Sequence, residues 1–142
     1  MARSAPPHLV LLDNEAVQAL ADPRHRKHRT ALAVFEVVAQ RKQRGAVVDT
    51  AVPTSVRVEA GWDRTAPGAA FVNLLRIRDI ALDAQLADRA VSVRERAGVS
   101  VADAHLGAAI ATADVERISV LTSDPDDLVA VAGDTAVTVV PL

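Results

Sequence analysis

The chain has 142 residues and a mass of 15.0 kDa, the size of one domain, 1–142. Half of it is hydrophobic and 24% charged, which excludes a disordered tail, and the absence of Cys excludes disulfides, thiolate metal sites and a Cys nucleophile. With Trp62, Phe35 and Phe71 as its whole aromatic content, it cannot build a stacked-base platform for single-stranded nucleic acid. The net charge of −2 is unevenly spread: 8 Lys/Arg face 5 Asp/Glu up to residue 50, and 8 face 13 beyond it. A cationic patch beside an acidic site fits that asymmetry. Nothing reads as a signal peptide or a membrane span, because the apolar run Leu9–Leu12 ends at Asp13; a cytoplasmic location is the expectation.

Taken in chain order, Leu9–Leu12 reads as a strand buried on both faces, and 16–21 as a short helix stopped near Asp22-Pro23. Residues 24–44 read as one long helix, with Ala31, Val34, Phe35 and Val38 on one face and Gly45 closing it. A second strand is expected at 46–48, a helix from Pro53 to about Gly61, a loop at 63–68 and a helix at 69–76. A short strand at 80–82 precedes a helix marked by Leu86, Ala90, Val93 and Ala97 and ended by Gly98. Ser100-Val101-Ala102-Asp103 is a capping-box start to a helix whose residues 104–113 are small and apolar nearly all round. Such a helix belongs packed closely on a sheet. A strand at 118–121, a short helix from Asp124-Pro125 and a last strand at 136–140 complete the chain. Continuous apolar strands separated by helices predict a three-layer α/β/α fold around a mostly parallel sheet.

In such a sheet a ligand site forms at the carboxyl ends of the strands. Asp13 stands directly after the first strand and Asp124 just past the 118–121 strand, while Glu59 and Asp103 sit on helices. Two carboxylates ~4 Å apart repel by roughly 4 kcal/mol at an effective dielectric of ~20, so converging acids take up a proton or a divalent cation. With only oxygen ligands on offer, that cation is hard, Mg²⁺ or Mn²⁺. Each acid also has a plain structural reading. Asp13 and Asp124 can cap the helices that follow them, Asp103 can complete a capping box with Ser100, and Glu59 can be a solvated helix residue. Thr122 and Ser123 either orient Asp124, bind a phosphate oxygen, or simply serve a turn.

The ordered set Leu9-Val10-Leu11-Leu12-Asp13, Val58-Glu59-Ala60, the segment from Ser100 to Ala109 around Asp103, and the segment from Leu121 to Leu128 around Asp124 resembles PIN-domain ribonucleases, in particular the VapC-like toxins of bacterial toxin–antitoxin pairs. The resemblance implies a five-stranded parallel sheet and Mg²⁺- or Mn²⁺-dependent cleavage of RNA to 5′-phosphate and 3′-hydroxyl ends. It also implies a homodimer and a small antitoxin whose tail enters the acidic groove. Asp13, Glu59, Asp103 and Asp124 match the acidic quartet, and Asp127 an accessory acid. Asn14 stands where a small hydroxyl residue is usual and keeps a hydrogen-bond donor, so Asn14, Thr122 and Ser123 are the expected substrate contacts.

Weaker features complete the reading. The run Arg24–Arg29 and the cluster Arg41–Arg44 are solvated faces or phosphate contacts, as are Arg57 and Arg64 near the acids. His8, His25 and His28 lack ligand spacing, His105 reads as a packed or capping residue, and Trp62 as core or partner interface. A phosphoacceptor receiver domain also gathers acids at strand ends, but it needs a Lys after its penultimate strand, and only Lys27 and Lys42 exist. A non-catalytic PIN-like module binding RNA or protein is the remaining rival.

Overall fold

The structure, a computed structural model, describes residues 7–142, so the first six residues of the expected domain lie outside the described residues. β1 (His8–Leu12) leads through α1 (Asn14–Ala21) and α2 (His28–Gln43) to β2 (Val48–Pro53). Next come α3 (Thr54–Ala60), a 3-10 turn at Pro67–Ala69, α4 (Ala70–Asn73) and β3 (Arg78–Ile80). The chain continues through α5 (Ala84–Ala97), α6 (Val101–Thr112), β4 (Arg117–Thr122), α7 (Pro125–Ala132) and β5 (Thr138–Pro141). The five strands form one sheet in the order β3-β2-β1-β4-β5, and every pairing is parallel. The expected α/β/α architecture is therefore observed, with the sheet wholly rather than mostly parallel.

β1 is the central strand, buried along its whole length, and it divides its side chains between two cores. Val10 and Leu12 join α1, α2, Trp62 and Val72 on one face; Leu9 and Leu11 join α5, α6 and α7 on the other. That two-sided burial is why its apolar run is continuous rather than alternating. No helix among the described residues is long and apolar enough to cross a membrane.

The small-residue character of α6 has a local cause. A Cβ added at Gly107 would stand 2.8 Å from the Val131 carbonyl oxygen and 3.0 Å from Val93 Cγ1, so α7 and α5 both press on that position. Because one of those contacts is backbone, it does not yield by a rotamer change. Gly107→Ala is expected to destabilise the fold by about 1–3 kcal/mol, read as a lower urea midpoint at unchanged m-value. An unshifted midpoint would mean that α7 is free to move away.

Several boundaries differ from the sequence expectations. The second strand runs over 48–53 rather than 46–48, because Asp49 and Thr50 hide its apolar pattern. Asp49 pairs with Arg78, and the Thr50 hydroxyl donates to the Arg76 carbonyl. The third strand lies at 78–80, its exposed Arg78 and Asp79 being what an edge strand tolerates. The expected helix at 69–76 shortens to the 3-10 turn and α4, since Arg76 takes a positive φ of 56°. The expected helix at 24–44 begins only at His28. Residues 22–27 form turns instead, nucleated by Asp22, which accepts from the N–H of Arg24 through its side chain and of His25 through its carbonyl.

Candidate active site at the carboxyl edge of the sheet

Asp13 follows β1 at once, and its N–H donates to the Leu121 carbonyl, which clamps it to the end of β4. Its Oδ1 accepts from the Ala16 N–H at 2.8 Å, so it caps α1. The capping reading is thus correct for Asp13, and the cap occupies only Oδ1 of the carboxylate. Burial pushes the Asp13 carboxyl above its ordinary range; the Thr122 hydroxyl and the Ala16 N–H oppose this, while Asp103 and Glu15 add to it.

Asp103 lies in the first turn of α6. Ser100 Oγ accepts from the Asp103 N–H at 3.1 Å, which makes the helix cap with backbone rather than with the Asp103 carboxylate. Among the described residues that carboxylate receives no hydrogen bond, so the capping box is half built and the acid is left over. Asp124 caps α7 by accepting from the Asp127 N–H at 3.1 Å, and its own N–H donates to Thr122 Oγ1 at 2.9 Å. Thr122 therefore orients Asp124 through backbone and faces Asp13 with its proton. Asp127, fully exposed, is pushed above its ordinary range by its contact with Asp124 and by the charges of Asp124, Asp103 and Asp126.

These influences define the site. Asp13, Asp103, Asp124 and Asp127, from three separate stretches of chain, share one electrostatic neighbourhood, and none pairs with a Lys or Arg among the described residues. Glu59 stands beside it, exposed on α3, lining a shallow depression with Ser55 and with Ser100 and Ala102 at the start of α6. It is not among the charges that act on Asp13 or Asp127. Asn14 accepts from Gln18 within α1, and Ser123 is half-buried with no side-chain partner among the described residues. No three acidic or imidazole side chains among the described residues already stand at metal-holding range, so the acids form a loose cluster, not a finished cage. Their all-oxygen chemistry and unpaired charge nonetheless suit a hard divalent cation.

His105 is the packed histidine that its small neighbours suggest. Its ring is buried, with Nδ1 accepting from the Ser55 N–H at 3.3 Å and meeting Ser55 Oγ at 3.0 Å. A backbone donor on Nδ1 leaves the proton of the neutral ring on Nε2, and burial lowers the pKa in keeping with that neutral form. The contact ties the helix carrying Asp103 to the helix carrying Glu59.

Two arginines proposed as phosphate contacts are otherwise engaged. Arg57 and Arg64 both bond Asp79 at 2.9 Å and lie over the Trp62 ring at 5.5 and 4.2 Å. Burial alone would raise the Asp79 pKa, but the two guanidiniums bring it below its ordinary value. Trp62 is buried, with its Nε1–H donating to Asn73, so this cluster is a structural clasp rather than a substrate surface.

The cationic runs separate cleanly. Residues 22–27 lie along α1: His25 Nε2 meets Glu15 Oε1 at 3.0 Å, and His28 Nδ1 bonds the Ala19 carbonyl at 2.7 Å. Arg24, Arg26, Lys27 and Arg29 form no ion pair among the described residues, and Glu15 is close enough to act on Asp13. Arg41 instead borders His8, at the opposite, amino edge of the sheet. Glu15 was not singled out in the sequence, although its place one step into a helix that starts at a strand end is a signal for it.

No protein-family model matches the sequence, and no curated protein is similar to it. Among solved structures the chain is similar to one from the crystal structure of VapBC2 from Rickettsia felis bound to a DNA fragment from their promoter. The TM-score is 0.58 at 12% identity, over 93% of this chain and 98% of that chain. At that identity the likeness shows the fold: the five-stranded parallel sheet and its helices are arranged as in a chain of that complex.

Proposed function

We propose that the protein is a metal-dependent endoribonuclease of the PIN type and the toxin of a toxin–antitoxin pair. The observation that supports this reading is that Asp13, Asp103, Asp124 and Asp127 stand at the carboxyl edge of the sheet within reach of one another's charge, with no Lys or Arg ion pair among the described residues. The similarity to VapBC2 supports an antitoxin as partner, and a homodimer belongs to the same reading.

Asp13, Asp103 and Asp124 would hold one Mg²⁺ or Mn²⁺, with Asp127 as accessory ligand and Glu59 available for a second. Such a cation lowers the pKa of an attacking water and offsets charge on the phosphate oxygens. The chain's own groups do the rest. The Ala16 N–H and Thr122 hydroxyl aim Asp13 and favour its charged form against its burial. The Asp127 N–H fixes Asp124, and the unbonded Asp103 carboxylate is free to turn toward the cluster. Glu59 takes the proton of the attacking water, Asn14 and Ser123 bond phosphate oxygens, and the cations of Arg24–Arg29 hold the strand on either side of the cleaved bond. Thr122, buried and with its proton on Asp13, supports the acids instead of touching substrate. With no aromatic platform, affinity rests on phosphates.

The lack of a preformed three-ligand set among the described residues favours one rival, a non-catalytic PIN-like module that binds RNA or protein. Thermal unfolding with added cation separates the two. Millimolar Mn²⁺ or Mg²⁺ is expected to raise the Tm, a site at ~100-fold excess over Kd adding about 2.7 kcal/mol, and Zn²⁺ to show no special preference. An unchanged Tm in Mn²⁺ would favour the non-catalytic module.

A further inference from the structure

The amino edge of the sheet, opposite the acids, carries a separate feature. A cavity of about 280 Å³ opens between α2 and the beginnings of β1, β4 and β5. Its walls are Val10, Val34, Val37, Val38 and Val140. His8 and Ser119, both buried, add a polar pair to the lining, His8 Nε2 meeting Ser119 Oγ at 2.7 Å.

Arg41 from α2 and Arg117 from β4 also line it, and neither has a carboxylate partner among the described residues. Residues 1–6 contain no acid that offers them one. Burial first, then Arg117 and Arg41, lower the His8 pKa, so both guanidiniums act on the same lining group and the imidazole stays neutral. Two exposed guanidiniums at the mouth of one apolar cavity, with no carboxylate partner among the described residues, make the site attractive to an anion. The guanidinium fork matches carboxylate and phosphate oxygens in particular.

We propose that this cavity binds a small anionic amphiphile. Its short aliphatic or single-ring body lies among the valines, and a carboxylate or phosphate head is held by Arg41 and Arg117. The volume supports a small body, since drug-sized ligands occupy roughly 300–1,000 Å³. The five valines suit an aliphatic body, and no Phe, Tyr or Trp is in the lining. The proposal stands apart from the nuclease reading, because it shares no residue with the acidic edge.

The test is thermal unfolding and calorimetric titration of the full chain with hexanoate, hexyl phosphate, hexanol and inorganic phosphate at millimolar concentration. Hexanoate or hexyl phosphate is expected to bind saturably and raise the Tm; whichever does so identifies the head group. Hexanol and inorganic phosphate, each lacking one half of the ligand, are expected to bind at least roughly tenfold more weakly. Arg41→Gln and Arg117→Gln, both at exposed positions, should fold normally and weaken binding by at least roughly tenfold each, the worth of a hydrogen bond to a charged group. Two results would overturn the proposal: neither amphiphile binding, or binding that both arginine variants retain in full.

Discussion

Asp13→Asn is expected to raise the melting temperature while abolishing RNA cleavage. Asparagine is as good a helix N-cap as aspartate, so the bond from the Ala16 N–H survives. What disappears is a carboxylate that burial, Asp103 and Glu15 all disfavour in its charged form. A carboxyl whose folded pKa lies above its unfolded value weakens the fold when ionised. That cost is present at neutral pH and fades as pH falls through the folded pKa. The gain in Tm, roughly 2–6 °C as is usual for relieving one unfavourable charge, should therefore shrink as the medium is acidified. Cleavage should drop to background, because a hard cation needs the charge that asparagine lacks. A lower Tm across the whole pH range would show that Asp13 serves the fold rather than the site.

Removing the charges of Arg24, Arg26, Lys27 and Arg29 together, by substitution with Gln in a cleavage-dead Asp103→Asn background, is expected to cost RNA affinity steeply. Each phosphate contact on a single strand contributes a slope of about 0.7 in log K against log salt, so loss of all four lowers affinity roughly 10²–10³-fold near 0.1 M salt. The salt slope should flatten by about 2.8 in the same variant. The matching change at Arg41, Lys42 and Arg44 is expected to leave both quantities nearly unaltered, since Arg41 borders the amino edge of the sheet. The reverse pattern would move the RNA track to the other pole; equal insensitivity of both clusters would assign recognition to shape or to a partner protein.

Where burial is two-sided, the sequence is easy to read. Leu9–Leu12 and the small residues of α6 announce their layers because β1 is buried throughout and α6 is buried at every position from Ala104 to Ile110. β2 is harder, since Asp49 and Thr50 satisfy their polar groups on neighbouring chain and so imitate a loop. The start of α2 is hard for a related reason: Arg24–Arg29 lies beside a helical pattern, but Asp22-Pro23 and the contact of His25 with Glu15 turn the chain first. At the site, the capping readings of Asp13 and Asp124 and their place at the carboxyl edge hold together, because each cap bond engages a single carboxylate oxygen. Spacing in the sequence does not convey that Arg57 and Arg64 are locked on Asp79 and Trp62, a contact between residues on α3, β3 and the loop between them. Nor does it convey that Glu59 stands to one side of the four aspartates.

Metal-dependent nuclease activity is tested by cleavage of single-stranded RNA by the purified protein and by folded Asp103→Asn, each assayed with Mn²⁺ and with excess chelator. The Ser100 cap uses only the backbone of residue 103, so the variant is expected to lose no more than about 0.5–2 kcal/mol of stability. Cleavage by the parent is expected in Mn²⁺ and none in chelator, with background activity from Asp103→Asn under both conditions. Cleavage that persists in chelator, or full activity in the folded variant, would contradict a metal-dependent nuclease built on these acids.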